Sequence, residues 1–405
     1  MACISDLPDE ILVTIFSYLD VDDICLSVRN VCRQWKSVSE DEKVWMNMYY
    51  CPRKTTTKQE LISKLKTMPS LRYFVYTGTH NVLGTMSKHC TKLKDLHIPY
   101  MEFRARLLRK AIRHLHYLEG LSVRITSRTA RFTQIIGESQ HLVRLSLTTG
   151  GGLHTTDQLL EPIASGCRKL KKLRCAYLDC PTEELCRLLQ HKKRVLEEYE
   201  HCGRLSAAVF TAINGCKKLK KLRFNSISIE GPFDETISFV KLKYLTLVEF
   251  AGCPITMLKS VSRSLSIAPV SYLEQINLSF SDHKIDSITD SVFLACPSLK
   301  RLILAGNIRL CGYGLRNIRN CKMLEYLDMR YCLDLDWTAI KYVAEGSPRL
   351  QYLDLSGNHI TLAMFQQILK CKNLKTLLLK GCDLRGFNLR HIKTRIPGLK
   401  HLKIE

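Results

Sequence analysis

LKRLILAGN (residues 299–307), LEYLDMRYC (324–332), LQYLDLSGN (350–358) and LKTLLLKGC (374–382) are four copies of one pattern. Each has leucine at positions one and four, leucine or methionine at position six, and asparagine or cysteine at position nine. The alternation has the period of a strand. Positions four and six point to one side, and positions three, five and seven to the other. The same L-x-x-L-x-L frame is read from Leu93, Leu118, Leu142, Leu219, Leu242 and Leu399, with degraded copies at Leu71, Leu170, Leu196 and Leu273. First leucines recur roughly every 25 residues. Another cysteine stands three residues before the first leucine at Cys90, Cys167, Cys216, Cys296, Cys321 and Cys371.

A unit of that length cannot bury its apolar face alone, so neighbouring copies must stack. The pattern resembles the cysteine-containing subclass of leucine-rich repeats. The resemblance implies an α/β solenoid, a horseshoe with parallel strands on its concave face and helices on its convex face. Residues 71–405 are expected to form this array. Residues 51–70 read as a connector in which PRKTTTK is turn-like and QELISKLKTM is a short amphipathic helix.

Residues 1–50 are different in kind. Pro8 suits a helix start, and Asp9 and Glu10 favour its positive end. Ile11, Leu12, Ile15, Phe16 and Leu19 recur at three and four, which predicts an amphipathic helix. Asp20, Asp22 and Asp23 interrupt that stripe and can cap a second helix carrying Ile24, Leu26, Val28 and Val31. Val38, Val44 and Trp45 belong to a third. Three helices in about fifty residues make a core that leans on a partner or on its neighbouring domain.

The run LPDEIL, IFSYL, VCRQW and a further tryptophan ten residues on resembles an F-box across Ile4 to Met46. The resemblance implies docking on a Skp-type adaptor, and through it on a cullin and a RING subunit. Carried over position by position, adaptor-contacting and core positions fall on Leu7, Pro8, Ile11, Ile15, Leu19, Val31, Cys32, Trp35 and Trp45.

The outward positions of the repeats are expected to form the reading surface. They include Ser122 and Arg124; Arg144, Ser146 and Thr148; Lys172 and Arg174; Lys221, Arg223 and Asn225. Further along come Arg301; Tyr326, Asp328 and Arg330; Tyr352, Asp354 and Ser356; and Lys380. The chain carries +23; residues 1–50 hold four Lys or Arg and nine Asp or Glu, a net −5, so residues 51–405 carry +28. A basic array suits an acidic or phosphorylated protein substrate. HKKRV (191–195) and CKKLKKLR (216–223) resemble nuclear-localisation or nucleic-acid patches, although the second also fills the basic slots of its repeat. A nucleic-acid-binding solenoid ranks below the protein-substrate reading, because an aromatic stacking ladder does not accompany the basic strip.

No nucleophile stands with a base, and no Cys/His spacing suits zinc. The cysteines follow the repeat and read as reduced, buried thiols. TTGGG (148–152) lacks the lysine of a phosphate loop. No run reaches the roughly twenty apolar residues of a membrane helix, and MACISDLPDE lacks a signal peptide's basic start and apolar core. The expectation is a non-catalytic receptor subunit without cofactor or metal, held in the cytoplasm, the nucleus or both. Its task would be to hold a substrate for ubiquitination. The alternative is a leucine-rich-repeat scaffold that works outside any ligase.

Overall fold

The computed structural model describes residues 4, 7–101, 103–125, 131–149, 159–178, 180–231, 237–281 and 283–404. Gly150–Gly152 of TTGGG lie outside them. The chain forms two compact units, residues 1–192 and 193–405.

The first unit opens with α1 (Asp9–Phe16), α2 (Val21–Leu26), α3 (Arg33–Ser39) and α4 (Glu42–Trp45). The expected third helix is therefore two, because Asp41 caps a new start by accepting from the Lys43 amide at 2.7 Å. Asp20 caps α2, accepting from the Asp23 amide at 2.8 Å. Cys32 caps α3 through its sulfur. Leu12, Phe16, Ile24 and Trp45 form the small core. Trp45 donates its indole N–H to the Ser39 carbonyl at 2.7 Å.

This core leans on the connector. There, helix α5 (Lys58–Lys66) carries a capping box between Thr57 and Glu60. Its Lys64 pairs with Asp22, and Arg29 donates to the Thr67 carbonyl at 3.1 Å. β1 (Tyr49–Tyr50) pairs with β2 (Tyr73–Val75), so the sheet starts just before the connector. Then come α6 (Leu83–His89), β3 (Asp95–Ile98), α7 (Ala105–His114), β4 (Gly120–Ile125), α8 (Arg131–Gly137), β5 (Arg144–Thr149), α9 (Glu161–Gly166), β6 (Lys172–Ala176) and α10 (Thr182–Lys192). Strands β1 to β6 pair in chain order, all parallel.

The second unit repeats the theme through β7 (Glu198–Ser206), α11 (Ala207–Asn214), β8 (Lys221–Glu230), β9 (Leu247–Ala251), α12 (Ile255–Leu265), β10 (Gln275–Asn277), α13 (Asp286–Ala295) and β11 (Arg301–Ile303). It continues with β12 (Tyr326–Asp328), α14 (Trp337–Gly346), β13 (Tyr352–Asp354), α15 (Leu362–Ile368), β14 (Thr376–Leu378), α16 (Arg390–Arg395) and β15 (His401–Lys403). Two short 3-10 turns replace a helix between β11 and β12. Strands β7 to β15 are parallel and in chain order.

One copy begins later than the sequence suggests. Leu247 pairs with Lys221 on one side and Gln275 on the other, both at position three. The repeat therefore starts at Leu245, and Leu242 is a buried residue of the preceding turn. Both leucines satisfy the apolar frame, but only Leu245 puts Cys253 at position nine.

Position nine explains why asparagine and cysteine alternate there. The Asn307 and Asn358 amides donate to the Leu278 and Met329 carbonyls at 2.9 and 2.8 Å. The Cys253, Cys332 and Cys382 thiols donate to the Phe224, Leu304 and Leu355 carbonyls at 3.3, 3.1 and 3.3 Å. Every acceptor is position six of the preceding repeat. Both residue types bring a donor to a carbonyl that the strand ladder leaves over. Burial pushes the Cys253 and Cys332 thiols up to about 12, so they stay protonated donors. Among the described residues the cysteines are free thiols, and no helix is long and apolar enough to cross a membrane.

Position eight turns the chain out of the strand with a left-handed backbone. Gly252, Gly306, Gly357 and Gly381 supply it at φ +62, +71, +70 and +67°. Tyr177, Ser226, Phe280 and Tyr331 adopt it without that freedom. The Phe280 and Tyr331 rings lie over the next repeat's glycine: a Cβ on Gly357 would come within 2.2 Å of the Tyr331 ring. At Gly381 the same space is empty. Gly381→Ala is therefore expected to cost only the left-handed backbone term, about 1–2 kcal/mol. Gly357→Ala is expected to cost about 1 kcal/mol more, because a ring must also move. Urea midpoints of the two variants check the difference.

His201 is buried in β7. Its Nδ1 faces the Tyr199 hydroxyl at 3.0 Å, and its Nε2 faces the Arg204 carbonyl at 2.7 Å. A neutral ring satisfies both, as acceptor and donor. Burial holds its pKa below the usual histidine value. The unfolded chain thus binds the proton more readily than the native one, and stability is expected to fall as pH drops through about 6.5. Melting curves on either side of that pH should show a loss that His201→Gln reduces.

Candidate functional site

Helix α1 divides its apolar residues between two directions. Leu12 and Phe16 go to the core, where Phe16 meets Trp35 edge-on at 5.1 Å. Ile11 and Ile15, one turn apart, stay 47% and 36% exposed. Pro8 and Cys32 are exposed, Leu7, Leu19 and Trp35 half-buried, and Val31 is 58% exposed. The Gln34 amide donates to Asp9 at 2.9 Å and ties α3 to α1. Trp45 is the correction within the expected adaptor-binding set: it is fully buried and serves the core rather than a contact surface. Sequence reasoning missed Ile4, Tyr18 and Leu26, which are also largely exposed. Tyr18 follows Ile15 by three but lies past the end of α1, and Leu26 counts among the apolar residues of the second helix, so periodicity alone does not say that either faces outward. An exposed apolar group of this kind on a small helical module is a docking surface in chemical terms.

The strand face behaves differently from the basic strip read in the sequence. Arg144 reaches across Gly120 and grips Asp95 with two bonds of 3.0 and 2.9 Å, adding Glu119 at 3.3 Å. Gly120 makes room for this: a Cβ there would fall 1.7 Å from the Asp95 carboxylate. In the second unit Lys221 pairs with Glu198 at 3.3 Å, and Arg223 with Glu249 at 3.2 Å. Neighbouring strands thus neutralise Arg144, Lys221 and Arg223. Arg124 and Arg174 are exposed, and Lys172 is half-buried. Ser122 is buried.

At the other end of the second unit a stack crosses three strands in register. The Arg301 guanidinium lies 3.4 Å from the Tyr326 ring centroid, and Tyr326 stacks on Tyr352 at 4.0 Å and 8°. Asp328 and Asp354, expected to face outward, are buried at 1% and 3% exposure. Their carboxylates turn back to the backbone, accepting from the Arg330 and Ser356 amides at 3.2 and 3.0 Å. Burial raises the Asp328 pKa despite the Arg330 guanidinium 3.1 Å away. Tyr352 is raised as well, first by burial and then by its hydrogen bond with Tyr326. Arg330 itself remains half exposed.

Among the described residues no three His, Cys, Asp or Glu side chains come together as metal ligands would.

Comparison with known proteins agrees with this geometry. Residues 4–51 match the F-box-like domain family. An F-box protein of Saccharomyces cerevisiae is 44% identical over 45 residues, covering 11% of this chain and 7% of that one. The CD180 antigen of Mus musculus is 27% identical over 144 residues, covering 35% of this chain and 21% of that one. The chain thus spans about a fifth or less of the curated relatives it matches. Among solved structures, the yeast complex of Rad7 and Elc1 aligns with a TM-score of 0.51 at 17% identity, over 97% of this chain and 92% of that one. That likeness is one of fold. The chain carries an F-box-like domain at its N-terminus, followed by a parallel-strand leucine-rich-repeat solenoid.

Proposed function

We propose that this chain is the substrate-recognition subunit of an SCF-type ubiquitin ligase. The F-box-like domain docks on a Skp-type adaptor, which brings the cullin and RING subunits. The repeats hold a protein substrate for ubiquitination and degradation, in the cytoplasm or nucleus. The observation that carries the reading is the pair Ile11 and Ile15, left outward on a helix whose other apolar face fills the core. Leu7, Pro8 and Val31 extend that surface. The chain acts by proximity: a substrate lysine held near the charged carrier enzyme gains effective concentration, and the covalent chemistry belongs to other subunits.

For the substrate surface we favour the end built from Arg301, Tyr326, Tyr352 and Arg330. Aromatic and arginine side chains dominate protein hot spots. Arg144, Lys221 and Arg223 are already paired and would exchange one carboxylate for another. An acidic or phosphorylated substrate remains the expected class, met by the half-exposed Arg330 and by Arg124, Lys172 and Arg174.

The test is a pull-down from cells with the proteasome blocked, wild type beside Leu7→Ala/Pro8→Ala. The variant is expected to lose adaptor and cullin while a client protein stays bound or accumulates. A wild type that captures neither adaptor nor cullin would refute the reading.

A further inference from the structure

The cations of the second unit fall into two classes. Lys220, Lys221 and Arg223 are held by Glu197, Glu198 and Glu249 at 2.7, 3.3 and 3.2 Å. Lys193, Arg194, Lys217 and Lys218 are not held. Among the described residues none of these four makes an ion pair or a side-chain hydrogen bond, and all four are exposed. Lys193 and Arg194 stand in the turn that leads into β7, and Lys217 and Lys218 in the turn between α11 and β8. With Gly215 they line one depression of about 550 Å³.

Four like charges around one hollow repel each other. The C-terminal end of α11 favours cations on the turn beyond it and accounts for part of Lys217 and Lys218. Lys193 and Arg194 directly follow the last residue of α10, and that helix end favours them in the same partial way. The nearby glutamates are committed to Lys220, Lys221 and Arg223, so among the described residues no carboxylate pairs with these four cations. The volume lies within the roughly 300–1,000 Å³ of small-molecule sites. Among the described residues the lining contains no aromatic residue on which a nucleobase would stack. The neighbouring strand cations Lys221 and Arg223, being paired, offer no track for a nucleic-acid backbone.

We propose that this hollow binds a compact polyphosphate, an anion carrying at least two phosphate groups. Arg194 supplies a two-pronged grip on one phosphate, and the three lysines act as point charges on the remainder. The site is independent of the F-box-like domain and of the ligase reading.

The test titrates sodium tripolyphosphate into the full chain by calorimetry, at low and moderate salt. The wild type is expected to bind it at one site. The variant Lys193→Gln/Arg194→Gln/Lys217→Gln/Lys218→Gln is expected to bind at least ~10-fold more weakly with an unchanged melting profile. Lys241→Gln/Lys243→Gln, two exposed lysines outside the hollow, serves as control and should bind as wild type does. Absent binding to wild type would overturn the proposal. So would an equal loss in the control, which would mean diffuse charge rather than a site. A competition arm adds single-stranded RNA: if RNA binds and tripolyphosphate cannot displace it, the surface serves nucleic acid and the proposal fails.

Discussion

Ile11→Asp/Ile15→Asp is expected to abolish binding to a purified Skp-type adaptor while the chain stays folded. Each isoleucine keeps a third to a half of its surface free. Burying that remainder contributes about 1 kcal/mol per residue. Each aspartate adds the cost of removing a carboxylate from water without a partner, about 2 kcal/mol or more. The sum is about 6 kcal/mol, a loss beyond ~1,000-fold in affinity. Fold is expected to survive because the core of α1 rests on Leu12 and Phe16, both at most 1% exposed. Circular dichroism and a melting curve test folding; surface plasmon resonance tests binding. A folded variant that binds as tightly as wild type would place the adaptor elsewhere.

Asn307→Leu carries the largest expected loss of stability. The Asn307 amide donates to the Leu278 and Leu304 carbonyls at 2.9 and 2.6 Å, and its oxygen accepts from the Ser281 amide at 3.0 Å. Leucine fits the apolar surroundings but satisfies none of the three. Each buried backbone group left bare costs about 1–3 kcal/mol. Part of this is relieved, since the Leu304 carbonyl also accepts from the Cys332 thiol, so a net loss of about 3–5 kcal/mol is expected. Asn307→Cys keeps one donor, as Cys332 and Cys382 do naturally, and is expected to lose about half as much. Urea unfolding of the two variants separates hydrogen bonding from shape. Equal losses would mean that packing, not the donor, governs position nine.

Much of the fold was legible because leucine burial is periodic and local. The frame placed most strands, and the N/C choice at position nine pointed to a recurring role before its partners were visible. The failure at Leu242 has a plain cause. LKYLTL and LTLVEF overlap, and pattern alone cannot rank two frames that share a leucine; pairing with Lys221 and Gln275 does. In the small helical module, periodicity grouped Leu12 with Ile11 and Phe16 with Ile15. A helix with apolar residues on adjacent positions has two apolar directions, and only packing decides which one is inward.

The strand face was less legible because charge is settled between repeats. Arg144 and Asp95 are 49 residues apart, and nothing local announces that Gly120 leaves a gap between them. Asp328 and Asp354 occupy outward strand positions by parity, yet their short side chains fold back onto amides two residues ahead. Arginine and tyrosine stand at position three of successive repeats, but their stacking depends on register across β11, β12 and β13.

The donors at position nine all point backward along the chain, from each repeat to the one before it. The solenoid therefore has a grain. Trimming repeats from the C-terminal side leaves a bare carbonyl at the new end, which water can reach and solvate. Trimming from the opposite side strands an amide or thiol donor inside a core that water does not enter. Shortened chains of equal length should therefore differ in robustness according to which end was cut, and fraying should begin where the grain runs out.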